Sequence, residues 1–245
     1  MVTYLKLKLQ QELASLLAGA RQAHMPVRDK LVSSVAAFIA ILLLMSMVHY
    51  VAIQSSFSLL VLASMGASAF LLFAVPHSPM SQPWPLVGGH LVASAIGIGC
   101  AQVITGPSLA TASAVALSMF AMHWLRCPHP PSVATAMIAV LGGPEVHALG
   151  WSFCYEVVAI NVFIMLLLAT GLNALIPGRR YPLLHTHHPH HAQFKQTHYT
   201  GYAELADEDL KWALKQMESA IDVTREDLLD IYEFAVEHAQ ARNKK

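Results

Sequence analysis

The residues with the clearest capacity for chemistry lie in one short stretch, Arg126–Met137, which reads RCPHPPSVATAM. The stretch combines a histidine with hydroxyl side chains and three prolines. Proline lacks an N–H group and clashes with a preceding helical turn, but it fits the first turn of a new helix. The stretch therefore predicts one helix that ends near Leu125 and a second helix that begins at Pro130 or Pro131.

The first turn of this second helix is a candidate site for a small anion. The backbone N–H groups of Ser132, Val133 and Ala134 would have no partner in a preceding turn, and the helix dipole adds partial positive charge there. At membrane depth such donors need protein, water or a ligand. His129 and Thr135 flank these donors in the sequence. A plain turn whose donors are capped by water is the alternative.

A similar break occurs earlier in the chain. Pro76–Pro79 reads PHSP and resembles the PHPP of Pro128–Pro131, and each break follows an apolar stretch and precedes a glycine pair. We expect two parallel repeats related by an axis along the membrane normal, the alternative being a chance likeness between two proline-rich loops. The candidate solute-binding residues of the two breaks and the helices after them are His77, Ser78, Ser81, His90, His129, Pro130, Pro131, Ser132, Val133 and Thr135.

Glu156 is a candidate coupling residue, because it is the only acid within the predicted spans. Intramembrane carboxylates usually face the interior of a bundle and mark a pathway or a proton relay. The residue lies near the predicted outer end of its span, so a side chain that reaches back to water is the alternative. An ionised carboxylate would repel an anion, which favours a protonated Glu156 or a cationic substrate.

The elements that must position these residues are membrane helices. Hydrophobic residues make up 55% of the 245 residues and charged residues only 12%, whereas soluble domains carry about 25% charged residues. No Asp, Glu, Lys or Arg occurs from Leu31 to Leu125. The low charge and the long uncharged stretch predict that the chain lies in the lipid bilayer. The formal net charge of zero argues against a nucleic-acid partner.

The predicted fold is an all-α, polytopic membrane helix bundle of about six membrane segments, one of them short. A span needs about 20 apolar residues, or fewer inside a bundle. Six crossings place the Lys and Arg residues that flank the spans on one side, which predicts a cell inner-membrane protein with both termini in the cytoplasm. A re-entrant fifth segment is the alternative. The segments are Leu31–Ile53, Ser58–Val75, Trp84–Ile104, Leu109–Leu125, Pro131–Leu141 and Trp151–Ile176.

The regions outside the bundle differ in composition. Residues 1–29 predict a cytoplasmic amphipathic helix, or alternatively a flexible arm, before a transmembrane domain at 30–180. Residues 181–201 form a His-rich linker, and residues 202–245 predict a soluble helical hairpin through which the chain could form a homo-oligomer. The histidines of the linker have no fixed spacing and no Cys or Asp among them, so we predict no metal site and no cofactor.

Two motifs resemble those of the HPP family of integral membrane proteins. The first is His129-Pro130-Pro131 followed by Ala134-Thr135-Ala136. The second runs from Gly66 to Pro83 and continues with a GGH at Gly88–His90. The resemblance implies a transporter, and plant and cyanobacterial members of the family are associated with nitrite transport.

Two positions depart from the family's pattern. Ser132-Val133 stands where the family often has a glycine pair, and Trp84 stands where it often has a basic residue. If these positions shape the ligand site, the substrate need not be nitrite itself.

The function predicted from these features is a transporter or channel for a small inorganic anion, nitrite-like by resemblance. No nucleophile elbow, phosphate loop or HExxH motif occurs in the chain, so enzymatic activity is not expected. The alternative is a membrane-anchored metal-binding or sensory protein that uses the His-rich segment and the helical tail.

Overall fold

Helices make up the architecture, and proline or glycine stands at many of their ends. The computed structural model describes residues 26–54, 62–179 and 181–183, and no strand occurs within these ranges, so the described chain is all-helical as predicted. The elements are α1 (Val27–Gln54), α2 (Ser64–Ala74), a 3-10 helix (Pro79–Ser81), α3 (Pro83–Val103), α4 (Pro107–Trp124), α5 (Ser132–Leu141), α6 (Gly143–Leu149), a π-helical segment (Phe153–Ala159) and α7 (Ile160–Ala174).

Prolines begin two of the long helices. Pro83 and Pro107 lie in the first turns of α3 and α4, where the missing N–H does no harm and the fixed φ angle suits the helix. Helix α4 ends at Trp124, next to the predicted end at Leu125. Beyond it, Arg126 adopts a φ of 54°, a left-handed conformation that a continuing α-helix cannot contain.

Helices α5 and α6 form a sharply bent pair. Gly142 caps α5, and Gly143 has a φ of 76°, which lies in the left-handed region that favours glycine. The axes of the two helices differ in direction by 100°. The short segment predicted at Pro131–Leu141 therefore continues, after a turn, into a second short helix.

Helix α3 is the centre of the bundle. It packs against α4, α5, the π-helical segment and α7, whereas α1 packs against α2 and α7. A Cβ atom added at Gly97 of α3 would lie 2.7 Å from both the Ala136 carbonyl oxygen and the Ala139 Cβ of α5. Small residues therefore allow α3 and α5 to pack tightly against each other. At Gly66 and Gly99, however, nothing lies within 4 Å of an added Cβ.

A polar cluster joins α1, α2 and α7 at one end of the bundle. The Arg179 guanidinium donates to Asn173 Oδ1 at 3.2 Å and to Ser33 Oγ at 2.6 Å. The Asn173 amide in turn donates to the carbonyl oxygen of Leu72 at 3.1 Å. Burial lowers the pKa of the Arg179 guanidinium, and the charge of Asp29 acts in the opposite direction.

Helices α3 and α4 meet at the same end. Trp84 Nε1 donates to the Leu125 carbonyl oxygen at 3.2 Å, which joins the start of α3 to the end of α4. The start of α3 is also close to the end of α2, because Ser81 Oγ lies 3.1 Å from the Leu71 carbonyl oxygen. The start of α1 and the ends of α2, α4 and α7 therefore share one end of the bundle.

The count of six membrane segments is not confirmed. Within the described residues, three helical stretches are long and apolar enough to cross a membrane: Val27–Tyr50, Pro83–Val103 and Phe153–Ala174. The bent pair of α5 and α6 adds a fourth if it is counted as one broken span, and α2 has only 11 residues. Helix α1 begins at Val27, four positions before the predicted Leu31.

Three predicted regions lie outside the described residues. They are nearly all of the N-terminal amphipathic helix at 1–29, nearly all of the His-rich linker at 181–201, and the C-terminal hairpin at 202–245.

Candidate functional site

The first break, between α2 and α3, is held by its own polar side chains. Ser78 Oγ accepts a hydrogen bond from the Met80 N–H at 3.1 Å and so caps the 3-10 helix. Ser81 Oγ lies 2.9 Å from the Val75 carbonyl oxygen, and Gln82 Nε2 donates to the Pro76 carbonyl oxygen at 3.0 Å. These bonds fix the backbone of the break, including the carbonyl group of Met80.

The second break, between α4 and α5, differs from its prediction. Helix α5 begins at Ser132 and not at Pro130 or Pro131, and Pro131 caps it with helical backbone angles. That conformation closes a 3-10-like turn, in which the N–H groups of Ser132, Val133 and Ala134 donate to the carbonyl groups three residues earlier at 2.9, 3.2 and 3.1 Å. The prediction that these three N–H groups are free donors is therefore wrong.

A continuous chain of hydrogen bonds joins the two breaks inside the bundle. Met80 O and His129 Nδ1 are 2.8 Å apart, and His129 Nε2 and Ser68 Oγ are 3.0 Å apart. Ser68 Oγ also lies 3.0 Å from His90 Nε2. On its other side, His90 Nδ1 lies 2.8 Å from Thr135 Oγ1, which is 2.8 Å from Ser64 Oγ.

Burial isolates this polar chain from solvent. The exposed fraction is 0% for His90, His129, Ser68 and Thr135 and 2% for Ser64. The two imidazole rings stand with their centroids 5.1 Å apart and their planes tilted by 56°. Buried polar groups are tolerated only when they are hydrogen-bonded, which these side chains achieve through one another.

Gly89 permits the close approach of α3 to the second break. A Cβ atom at Gly89 would lie 2.7 Å from the His129 Cβ and 3.2 Å from both the Cys127 carbonyl oxygen and Ser132 Oγ. A methyl group therefore does not fit there unless His129 moves. Gly89 thus sets the position of His129 relative to His90, the next residue of α3.

Three predicted site residues meet in the polar chain, and the others do not. His90, His129 and Thr135 belong to it, while Ser132 Oγ lies beside it and donates to the His129 carbonyl oxygen at 2.6 Å. The residues that stand apart from it are His77, half-buried in the first break; Ser78 and Ser81, which bond within that break; Pro130, exposed; Pro131, buried; and Val133, half-buried.

Sequence reasoning missed Ser64, Ser68 and the Met80 carbonyl group. Ser64 and Ser68 lie four residues apart and therefore on one face of the otherwise apolar helix α2. That spacing was the available signal, because a polar pair on one face of a membrane helix marks the face that turns inward. Nothing in the side chain of Met80 points to the role of its carbonyl group.

Glu156, the predicted coupling residue, lies in the π-helical segment Phe153–Ala159. Its side chain is half-buried. The segment packs against α3, whose His90 belongs to the polar chain. Single-turn π-bulges occur frequently at functional sites, and this irregularity keeps Glu156 a candidate for a role in coupling.

The described residues contain no group of three or more His, Cys, Asp or Glu side chains that could hold a metal ion. His90 and His129 are the two histidines whose rings meet within that part of the chain. Their ring nitrogens are engaged by hydroxyl and carbonyl groups, so hydrogen bonding is the chemistry that the arrangement performs.

Comparisons with known proteins agree with the membrane architecture. A family model described as HPP, transmembrane region, matches residues 22–182. Two curated proteins of Dictyostelium discoideum, both named transmembrane proteins, are 37% identical over 155 residues and 36% identical over 146 residues. The alignments cover 62% and 58% of this chain and 49% and 51% of the relatives, so the chain spans about half the length of the curated relatives it matches. No solved structure matches the chain.

Proposed function

Because the chain belongs to the HPP family of transmembrane proteins, we propose that it carries a small inorganic anion, nitrite-like in size and charge, across a membrane. One observation carries the proposal, namely the buried hydrogen-bond chain from Met80 through His129, Ser68, His90 and Thr135. Polar groups inside a membrane bundle are expensive, and they mark the paths of solutes and ions.

The composition of the polar chain favours an anion over a cation. It offers three hydroxyl groups and two imidazole rings, each able to donate a hydrogen bond, and no carboxylate takes part in it. Hydrogen bonds from such donors to a charged acceptor are stronger than those between neutral groups. In the closed structure the donors bond to one another, and an anion replaces those internal acceptors when it binds.

The two breaks provide the moving parts. Interrupted helices that meet inside a bundle form the solute sites of many transporters. Movement of α2 and the first break away from the second break would part Ser68 and Met80 from His129 and open the polar chain toward the end of the bundle where Trp84 meets Leu125. The described conformation is then the closed state of the transport cycle.

The orientation follows from the basic residues. Arg28 and Lys30 lie in the first turn of α1, Arg126 follows α4, and Arg179 follows α7. All four stand at the end of the bundle where these helix ends meet, and an excess of Lys and Arg marks the cytoplasmic side. We therefore place that end in the cytoplasm of an inner membrane.

The experiment is uptake by purified protein in liposomes. The panel of solutes comprises nitrite, nitrate, formate, chloride and the cations potassium and ammonium. We expect uptake of at least one small anion and of neither cation. In His129→Ala that uptake falls by about 10- to 100-fold, the effect of one lost hydrogen bond to a charged group.

The matched control is His123→Ala. His123 is exposed on α4 and its ring bonds to the Met119 carbonyl oxygen of its own helix. Uptake by this variant should equal that of the unmodified protein. Absence of anion uptake, or an equal loss in the two variants at equal amounts of folded protein, contradicts the proposal.

A further inference from the structure

The hydrogen-bond chain has one fixed end. The Met80 carbonyl oxygen can only accept, so the hydrogen in its 2.8 Å contact belongs to Nδ1 of His129. A neutral His129 therefore has a bare Nε2, which must receive the hydroxyl hydrogen of Ser68 at 3.0 Å.

This fixed end sets the direction of every later bond. The single hydroxyl hydrogen of Ser68 is committed to His129, so His90 Nε2 must donate to Ser68 Oγ. A neutral His90 then has a bare Nδ1, which accepts from the Thr135 hydroxyl. Thr135 Oγ1 accepts in turn from Ser64. The two histidines consequently carry opposite tautomers, Nδ1–H in His129 and Nε2–H in His90.

Ser68 has a second acceptor within reach. Its Oγ lies 3.2 Å from the backbone carbonyl oxygen of Ser64, one helical turn earlier. If His129 Nε2 gains a proton, that N–H donates to Ser68 Oγ, and the Ser68 hydroxyl rotates to the Ser64 carbonyl oxygen. Every donor remains bonded and no other group has to move.

The hydrogen bonds around His90 cannot rearrange in the same way to accept a second proton. A proton on its Nδ1 would donate to Thr135, whose hydroxyl would have to turn toward Ser64. The Ser64 hydroxyl would then need a new acceptor, and among the described residues its one bonded partner is Thr135. Within the part of the chain that the structure describes, the network therefore accommodates an additional proton on His129 and not on His90.

We propose that His129 Nε2 binds one proton that travels together with the anion, so that transport is an electroneutral symport of the anion and a proton. The inference rests on the proposed function. An unpaired cation or an unpaired anion costs more free energy inside an apolar bundle than the two ions cost as a pair. Each ion therefore raises the affinity for the other by the same factor.

The surroundings of His129 suit this role. Helices α2 and α5, which supply Ser68 and Thr135, contain no titratable side chain. The titratable and charged groups of the other elements around His129 are His90 and Cys100 on α3, His123 on α4, His77 in the first break, and Arg126 and Cys127 in the second. None of them is a carboxylate, so a transported anion is the natural partner for the charge on His129.

Histidine ¹⁵N nuclear magnetic resonance on the full chain in lipid nanodiscs tests the proton site directly. Signals are assigned by their loss in His90→Asn and His129→Asn. We expect the two opposite tautomers at neutral pH, and His129 should gain its second proton at a higher pH than His90. Ser68→Ala should shift the titration of His129 to lower pH, because the acceptor for its Nε2–H is gone.

The control for Ser68→Ala is Ser94→Ala. Ser94 is also a buried serine, but its hydroxyl bonds to the Leu91 carbonyl oxygen of its own helix. Its removal should leave the titration of His129 unchanged. Equal tautomers in the two histidines, earlier protonation of His90, or an equal effect of both serine variants overturns the proton site.

A transport measurement separates this inference from the proposed function. In liposomes, uptake of the anion should be driven by an inward proton gradient and should carry no net current. Uptake that ignores the proton gradient overturns the symport while the anion transporter stands. Absence of anion uptake overturns both, whatever the tautomers of the two histidines.

Discussion

The Nδ1 atom of His129 lies 2.8 Å from the carbonyl oxygen of Met80, a residue 49 positions earlier in the chain. This bond joins the two breaks directly, because Met80 belongs to the first and His129 to the second. The histidine of the His-Pro-Pro motif therefore bonds to a backbone carbonyl group that lies outside the motif. A substitution that displaces one break should therefore displace the other as well.

The first prediction concerns the stability that His129 provides. His129→Ala removes a fully buried side chain and leaves the Met80 carbonyl group without its partner, while the Ser68 hydroxyl can turn to the Ser64 carbonyl oxygen. A buried polar group without a partner costs about 1–3 kcal/mol, and the lost packing adds to this. We expect the free energy of unfolding to fall by about 2–5 kcal/mol, measured by reversible denaturation in mixed micelles.

His123→Ala provides the comparison, because that side chain is exposed on α4. Exposed substitutions usually change the free energy of unfolding by less than about 0.5 kcal/mol. Equal stability of the two variants would mean that the contacts of His129 contribute nothing to the fold.

The second prediction concerns the two glycines of α3 that differ in their surroundings. Gly89→Ala places a methyl group where it would lie 2.7 Å from the His129 Cβ, whereas Gly99→Ala meets nothing within 4 Å. Replacement of glycine by alanine within a helix otherwise gains about 0.5–1 kcal/mol. We expect Gly99→Ala to raise the unfolding temperature slightly and Gly89→Ala to lower it and to reduce anion uptake.

A Gly89→Ala protein as active and as stable as Gly99→Ala would contradict the close approach of α3 to the second break. The comparison is well matched, because both residues lie in the same helix and receive the same methyl group.

The sequence predicted the ends of helices more reliably than the contacts between helices. Proline geometry is local, and it predicted the end of α4 to within one residue, while the apolar pattern predicted the start of α3 equally closely. The pairing of Ser68 with His129 joins residues 61 positions apart, so no local pattern contains it. The bonds of the N–H groups after Pro131 depend on the helical backbone angles of that proline, which its own fixed φ permits but does not require.

The third prediction concerns topology. Arg126 precedes α5 and Trp151 follows α6, and both side chains are exposed. If the bent pair of α5 and α6 crosses the membrane as one broken span, cysteines placed at these two positions react with impermeant reagents from opposite sides. Cys154, which is half-buried, is first replaced by serine to lower the background. Labelling of both positions from one side would show that the bent pair re-enters the membrane.

The last prediction compares the two parts of the His-Pro-Pro motif. Free N–H groups after Pro131 would make the two prolines more important for anion binding than the histidine. Those N–H groups are already bonded to the carbonyl groups of His129, Pro130 and Pro131, so the prolines act by placing His129. We therefore expect His129→Ala to reduce anion uptake at least as much as the double replacement of Pro130 and Pro131 by alanine.

The double proline variant should still differ from the unmodified protein. Alanine is the best helix former, so α5 should extend backward and turn His129 away from Ser68. Uptake is measured in liposomes at equal amounts of folded protein, with the ¹⁵N signal of His129 as a report of its contacts. A double variant that loses uptake completely while His129→Ala retains most of it would restore the helix terminus as the anion site.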